Sequence, residues 1–165
     1  MSFFYDDGTN EPYDANSIRI EQKNFSVFQV MHWIDTNMLI MQPEFQRNLV
    51  WNVKAKSLLI ESLILRIPIP VFYFSEDYNG VKAIIDGLQR TSAIYEYLSG
   101  KYKLKGLQYL KDCDGLTFEQ LSPNYRRRIE DTQLSINMST LLSANCFSHL
   151  DKVLNPIPRF LAHSA

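Results

Sequence analysis

Two short segments of the chain carry residue types and spacings that could do chemistry. The first is Phe45-Gln46-Arg47-Asn48-Leu49-Val50-Trp51, which precedes a strongly helical pattern. The second is Asp86-Gly87-Leu88-Gln89-Arg90-Thr91, where a strand-like run turns into a helix. A helix start presents free backbone N–H groups and the positive end of a dipole, and both favour anions. Gly87 lets a ligand approach the backbone closely. Gln89 and Arg90 add donors, and a guanidinium suits bidentate contact with phosphate. Asp86, at the end of the strand, could hold Mg²⁺ or orient a water.

A plainer reading stands beside this one. A strand–Asp-Gly–helix turn also arises for capping alone, with Asp86 as the N-cap, and short glycine motifs are unspecific. Arg47 taken singly reads as a surface or salt-bridged arginine. The two Gln-Arg dipeptides, Gln46-Arg47 and Gln89-Arg90, strengthen the functional reading without placing them side by side.

Other candidates are weaker. Arg126-Arg127-Arg128 could touch phosphates, but consecutive helical residues diverge and Glu130 and Asp131 follow, so a solvated face is expected. Trp33 and Trp51 read as anchors rather than stacking platforms. Ser62 and Ser92 lack a histidine partner for nucleophilic catalysis. Cys113 lies between Asp112 and Asp114, a setting that raises a thiol pKa and opposes a reactive thiolate.

The elements that must position these residues follow from periodicity. Ile18 and Ile20 alternate with Arg19 and Glu21 as a short strand would. Ser26 reads as an N-cap for a helix carrying Val27, Val30, Met31 and Ile34 to about Asp35. Leu39 to Met41 is a short apolar run. From Lys54 to about Leu65, Ala55, Leu59, Ile60, Leu63 and Ile64 share one helical face, with Lys54, Ser57 and Glu61 elsewhere. Pro68 is expected to end that helix, and Ile67-Pro68-Ile69-Pro70 to run extended. Val71–Phe74 and Val81–Ile85 read as a hairpin about Asn79-Gly80. A helix with Ile94, Tyr95 and Leu98 follows and closes at Gly100. Tyr102 and Leu104 suggest one more strand. Thr117 with Gln120 forms a capping box, and Ser122-Pro123 starts a helix to about Asp131. Leu134 and Ile136 then alternate with polar neighbours.

Composition limits the function classes. The 165 residues fit one domain. Hydrophobic residues at 45% and charged residues at 21% exclude full disorder. With 17 basic and 18 acidic side chains, the net charge of −1 gives no global basic excess for nucleic acid, though a local basic site stays open. The first residues are too acidic for a signal peptide, and no apolar run is long enough to span a membrane. Two cysteines without a CxxC or Cys/His cluster argue against zinc and for a cytoplasmic protein with reduced thiols. Residues 1–16 read as a flexible lead-in, 17–137 as the domain, and 138–165 as an atypical segment. That last segment is low in charge and rich in apolar residues, so it is expected to pack poorly or to mediate homo-oligomerisation.

Four motifs in order and spacing resemble a known family. They are Phe45-Gln46-Arg47 with Val50-Trp51, Leu59-Ile60-Glu61-Ser62-Leu63, Ile67-Pro68-Ile69-Pro70, and Asp86-Gly87-Leu88-Gln89-Arg90-Thr91. Together they look like the N-terminal domain of GmrSD-type restriction systems, marked by an Asp-Gly-Gln-Gln-Arg motif and similar to the ParB/sulfiredoxin-like fold. The resemblance covers about Ile18 to Ile136. It implies an α+β fold with a small mixed sheet. It also implies nucleotide binding, often with Mg²⁺-dependent NTP hydrolysis, in proteins that restrict foreign or modified DNA. Gln46, Arg47, Asp86, Gln89 and Arg90 would line the nucleotide pocket, with Thr91 beside them. Arg47 and Arg90 would neutralise phosphate charge, the Gly87 and Leu88 amides would bind oxygens, and Asp86 would serve the metal or water, as phosphoryl transfer requires. No general base is assignable. Leu88 stands where the family has its first Gln and cannot donate a hydrogen bond, which leaves a non-catalytic DNA-binding or protein-interaction module as the alternative. Met138 to Ala165 departs from the family's continuation, as a truncated, frameshifted or minimal member would. Nuclease chemistry is expected from a separate subunit or domain, because no HNH pattern is present and His32, His149 and His163 are scattered.

Overall fold

The structure is a computed structural model and describes residues 18–41 and 51–141. In chain order the elements are β1 (Ile18–Ser26), α1 (Val27–Asp35), β2 (Leu39–Ile40), α2 (Val53–Ile64), β3 (Phe72–Glu76), β4 (Lys82–Asp86), α3 (Leu88–Leu98), α4 (Pro123–Asp131) and β5 (Gln133–Leu141). Short 3₁₀ turns at Lys111–Cys113 and Phe118–Gln120 lie between α3 and α4. The expected α+β class is what the structure shows, and the arrangement is compatible with a ParB/sulfiredoxin-like scaffold.

The strands form one mixed sheet in the order β1-β5-β3-β4-β2. β1 and β5 pair antiparallel along their whole length, from Ile18↔Leu141 to Ser26↔Gln133. β5 and β3 are parallel, β3 and β4 form the antiparallel hairpin, and β2 joins β4 in parallel. The hairpin turn is closed by Asp77, whose Oδ1 accepts from the N–H groups of Asn79 and Val81. Gly80 supplies the positive φ expected there. One face of the sheet buries Phe72, Phe74, Leu134, Ile136 and Met138 in a core shared with Leu59, Ile60, Leu63, Ile64, Ile94 and Tyr97. This is the period-2 face of the strands meeting the apolar stripes of α2 and α3.

The caps explain the helix limits. Ser26 Oγ accepts from Gln29 N at 3.2 Å, and Ser122 Oγ from Tyr125 N at 3.3 Å, with Pro123 in the first turn. α3 closes in a Schellman turn at Gly100: Gly100 N–H donates to Tyr97 O and Lys101 N–H to Glu96 O.

Several expectations are corrected. α2 stops at Ile64, ahead of Pro68, because Arg66 takes a left-handed conformation (φ 59) that turns the chain first. Tyr102 and Leu104 do not form a strand. Their segment joins the core by side-chain burial and by reciprocal backbone bonds of Leu104 with Gly115 and Leu116, without a partner strand. The boundary drawn after residue 137 falls inside β5, since Met138 and Ser139 are buried strand residues facing Phe74 and Ser75. The arginine triplet is not wholly a solvated face. Arg127 is exposed, but Arg128 donates to Ile64 O at 3.3 Å and ties α4 to the end of α2. The lead-in at 1–16 and the segment 142–165 lie outside the described residues.

Candidate functional site

The turn between β4 and α3 is built around Gly87. Its φ of 99 is left-handed, and the Phe72 ring fills the space a Cβ would need. Gly87 is itself the N-cap of α3, so no capping side chain covers the first turn there. The leading N–H groups of α3 have no acceptor within the helix. The capping alternative for Asp86 is thereby corrected. Its Oδ2 instead accepts from Arg90 Nη2 at 3.2 Å, and the Asp86 side chain is 66% exposed.

Arg90 does not stand free for a ligand. Its side chain is only 13% exposed. Nη1 donates to Pro70 O, and Nη2 donates to Val71 O and Asp86. The guanidinium lies 4.3 Å from the Phe72 ring centre. Burial lowers its pKa from the ordinary value and Asp86 pulls it back up; an arginine stays charged through such a shift. Arg90 therefore fastens the entry of β3 to the first turn of α3, and its charge faces the helix start through Asp86.

Gln89 and Thr91 also have internal partners. Gln89 Oε1 accepts from the Trp51 N–H at 3.3 Å. Thr91 is buried, and its hydroxyl donates to Gly87 O at 2.9 Å, bracing the turn from below. Leu88 is half-buried at the first position of α3. The second segment is thus assembled as one unit, and Gln89 joins it to the last residue of the first segment. Gln46 and Arg47, and the expected meeting of Arg47 with Arg90, lie outside the described residues. Trp33 and Trp51 are partly buried against the core, as anchors would be.

Sequence reasoning missed two polar side chains, Ser57 and Glu61, which are buried on α2. Ser57 Oγ donates to Val53 O at 2.7 Å and accepts from Lys105 N at 2.9 Å. The Glu61 carboxylate accepts from the N–H groups of Gln108, Tyr109 and Leu110 at 3.0, 2.7 and 2.8 Å. Burial is the largest influence on Glu61 and raises its pKa, but the three N–H groups, with Lys111, outweigh it and leave the carboxyl below its ordinary value. Their four-residue spacing beside the apolar stripe was the available signal. Cys113 is buried, and burial together with Asp112, Glu61 and Asp114 raises its thiol pKa.

Residues 27–156 match the family described as the N-terminal domain of the GmrSD restriction endonuclease. The match takes in the Phe45–Trp51 and Asp86–Thr91 segments and runs past residue 138. No curated protein and no solved structure matches the chain. None of the described helices is long and apolar enough to cross a membrane. A match over most of the length, on a sheet and turn built as described, makes this chain a member of the GmrSD restriction endonuclease N-terminal domain family, a component of restriction systems.

Proposed function

We propose that the chain binds a nucleoside triphosphate at the first turn of α3 and serves as the nucleotide-responsive part of a DNA restriction system. The observation that carries this reading is the Gly87 turn, which leaves the positive end of α3 without a capping side chain beside an exposed carboxylate. The Gly87, Leu88 and Gln89 backbone would meet phosphate oxygens. Arg90, held by two carbonyls, would act as a positioning residue whose charge offsets Asp86 rather than as a phosphate clamp. Arg47 and Gln46 would approach from the segment that Gln89 anchors at Trp51.

Magnesium fits the donor set. Among the described residues no cluster of three or more His, Cys, Asp or Glu side chains could cage a metal. Mg²⁺, however, needs only one or two carboxylates when phosphates and waters complete its octahedron. Asp86 would supply that carboxylate, and the bound ion would neutralise phosphate charge. Burial of Arg90 and the apolar Leu88 favour binding over hydrolysis of the nucleotide. Nuclease chemistry would belong to a partner subunit or domain, because the sequence carries no HNH pattern.

The test is calorimetric titration of the full chain with each of the four common NTPs, with and without Mg²⁺, beside the Asp86→Asn variant. Mg²⁺-dependent binding that Asp86→Asn weakens supports the reading. Absence of binding for every nucleotide rejects it.

A further inference from the structure

We propose that Asp86, Tyr73 and Asn137, which form a row across the sheet, receive the nucleoside end of a nucleotide whose phosphates lie at the first turn of α3. The proposal rests on the reading of that turn as a triphosphate site, and it names the groups for the part of the ligand that the turn does not hold. Tyr73 is the stacking platform for the base, and Asn137 meets the base edge.

The row follows from strand register. Tyr73 stands opposite Asp86 on β4 and opposite Asn137 on β5. Residues opposed in register project on the same side of a sheet, and the Cβ atoms of an antiparallel pair such as Tyr73 and Asp86 lie about 5 Å apart. That side is the one away from the core. Phe72 and Phe74, which flank Tyr73, are buried, and so are Ile136 and Met138, which flank Asn137. Asp86 and Asn137 are separated by two strand spacings, about 10 Å. Asp86 also immediately precedes Gly87, the N-cap of α3. A ligand held by its phosphates at that turn therefore meets Tyr73 one strand further across the sheet.

The row is open to a ligand. Tyr73 is 38% exposed although β3 is the middle strand of the sheet. Among the described residues, neither the Tyr73 hydroxyl nor the Asn137 side-chain amide has a hydrogen-bond partner. The opening is confined to the end of the face nearest α3: two residues along, the opposed pair Ser75 and Ser139 is buried. Along the row the chemistry changes from carboxylate to aromatic ring to amide. That order matches a nucleotide read from its phosphates and metal to its base. An exposed ring stacks on a base of any kind, and an amide offers a donor and an acceptor side by side to a base edge.

The experiment is calorimetric titration of the full chain with each common NTP and with inorganic triphosphate, all with Mg²⁺. Tyr73→Ala should lower NTP affinity at least about fivefold and leave triphosphate affinity within about twofold. Tyr73→Phe keeps the ring and should hold NTP affinity within about twofold. Asn137→Ala should weaken NTP about two- to tenfold, again sparing triphosphate. Asp86→Asn should weaken both ligands. Lys23→Ala, on the opposite face of the same sheet, should alter neither. Triphosphate binding also reports that each variant is folded, and Tyr73→Leu replaces Tyr73→Ala if the latter is not. An unchanged ratio of NTP to triphosphate affinity in the Tyr73 variants, whether both affinities hold or both fall, overturns this proposal and leaves the phosphate site standing. Absence of binding by every NTP and by triphosphate overturns the phosphate reading, and this proposal with it.

Discussion

Gln89 and Trp51 are joined across 38 positions of sequence by a hydrogen bond from the Trp51 backbone N–H to the Gln89 side-chain oxygen, 3.3 Å long. Trp51 immediately precedes Asn52, the N-cap of α2, and Gln89 lies in the first turn of α3. The bond couples the two segments that the sequence marked separately. Gln89→Ala should remove about 1 kcal/mol of stability, a shift of a few degrees in Tm. If the coupled segments share a ligand, nucleotide affinity should fall about tenfold or more, well beyond what the stability change accounts for. Paired thermal melts and calorimetric titrations of the variant measure both quantities.

Asp86→Asn separates charge from shape. The Asp86 side chain is mostly exposed although Arg90 is not, so water screens the carboxylate and keeps this i,i+4 pair worth about 1 kcal/mol. Arg90 keeps its carbonyl partners, Pro70 and Val71, in the variant. Melting should therefore move by only a few degrees, while Mg²⁺-dependent nucleotide binding falls steeply. A large loss of stability with unchanged binding would make Asp86 a folding residue.

Gly87→Ala should be costly to the fold itself. The left-handed backbone disfavours a side chain, and the new methyl group would collide with the Phe72 ring in the core. Strain of about 1–2 kcal/mol plus overpacking of about 1–3 kcal/mol predicts a clear fall in Tm. Gly100→Ala provides the comparison, because its φ of 72 is also positive but nothing lies within 4 Å of the added methyl. Thermal denaturation should rank Gly87→Ala below Gly100→Ala, and the reverse order would contradict the packing argument.

Much of the fold was legible because it rests on local signals. Ser26, Ser122-Pro123 and Gly100 set helix ends through bonds within a few residues, and the apolar stripe of α2 meets the sheet as its spacing implies. Two things were not legible. Tyr102 and Leu104 alternate as a strand would, yet a strand needs a partner and this segment bonds only briefly to Gly115 and Leu116. Glu61 looks like a surface residue of an amphipathic helix, and its burial depends on three amides 47 to 49 positions away. The Asp86–Thr91 segment was recognisable by type. That Arg90 turns inward to Pro70 and Val71 depends on the path of the chain after α2, which no local pattern encodes.

Glu61 gives the last prediction, a dependence of stability on pH. Its folded pKa lies below the ordinary glutamate value because the amides of Gln108, Tyr109 and Leu110, with Lys111, outweigh burial. A depressed carboxyl stabilises the fold above its unfolded pKa of about 4.3 and loses that contribution as pH falls through the folded value. Protonation would leave those amides facing a neutral acid. The unaltered chain should therefore lose stability below about pH 4.3 more steeply than Glu61→Gln, whose side chain does not titrate in this range. At pH 7, Glu61→Gln should be less stable by about 1–3 kcal/mol, since an amide oxygen accepts more weakly and its NH₂ faces N–H donors. Urea denaturation at pH 7 and at successively lower pH should show the two stabilities converging. A constant gap across the acid range would mean that Glu61 is held by packing and not by its charge.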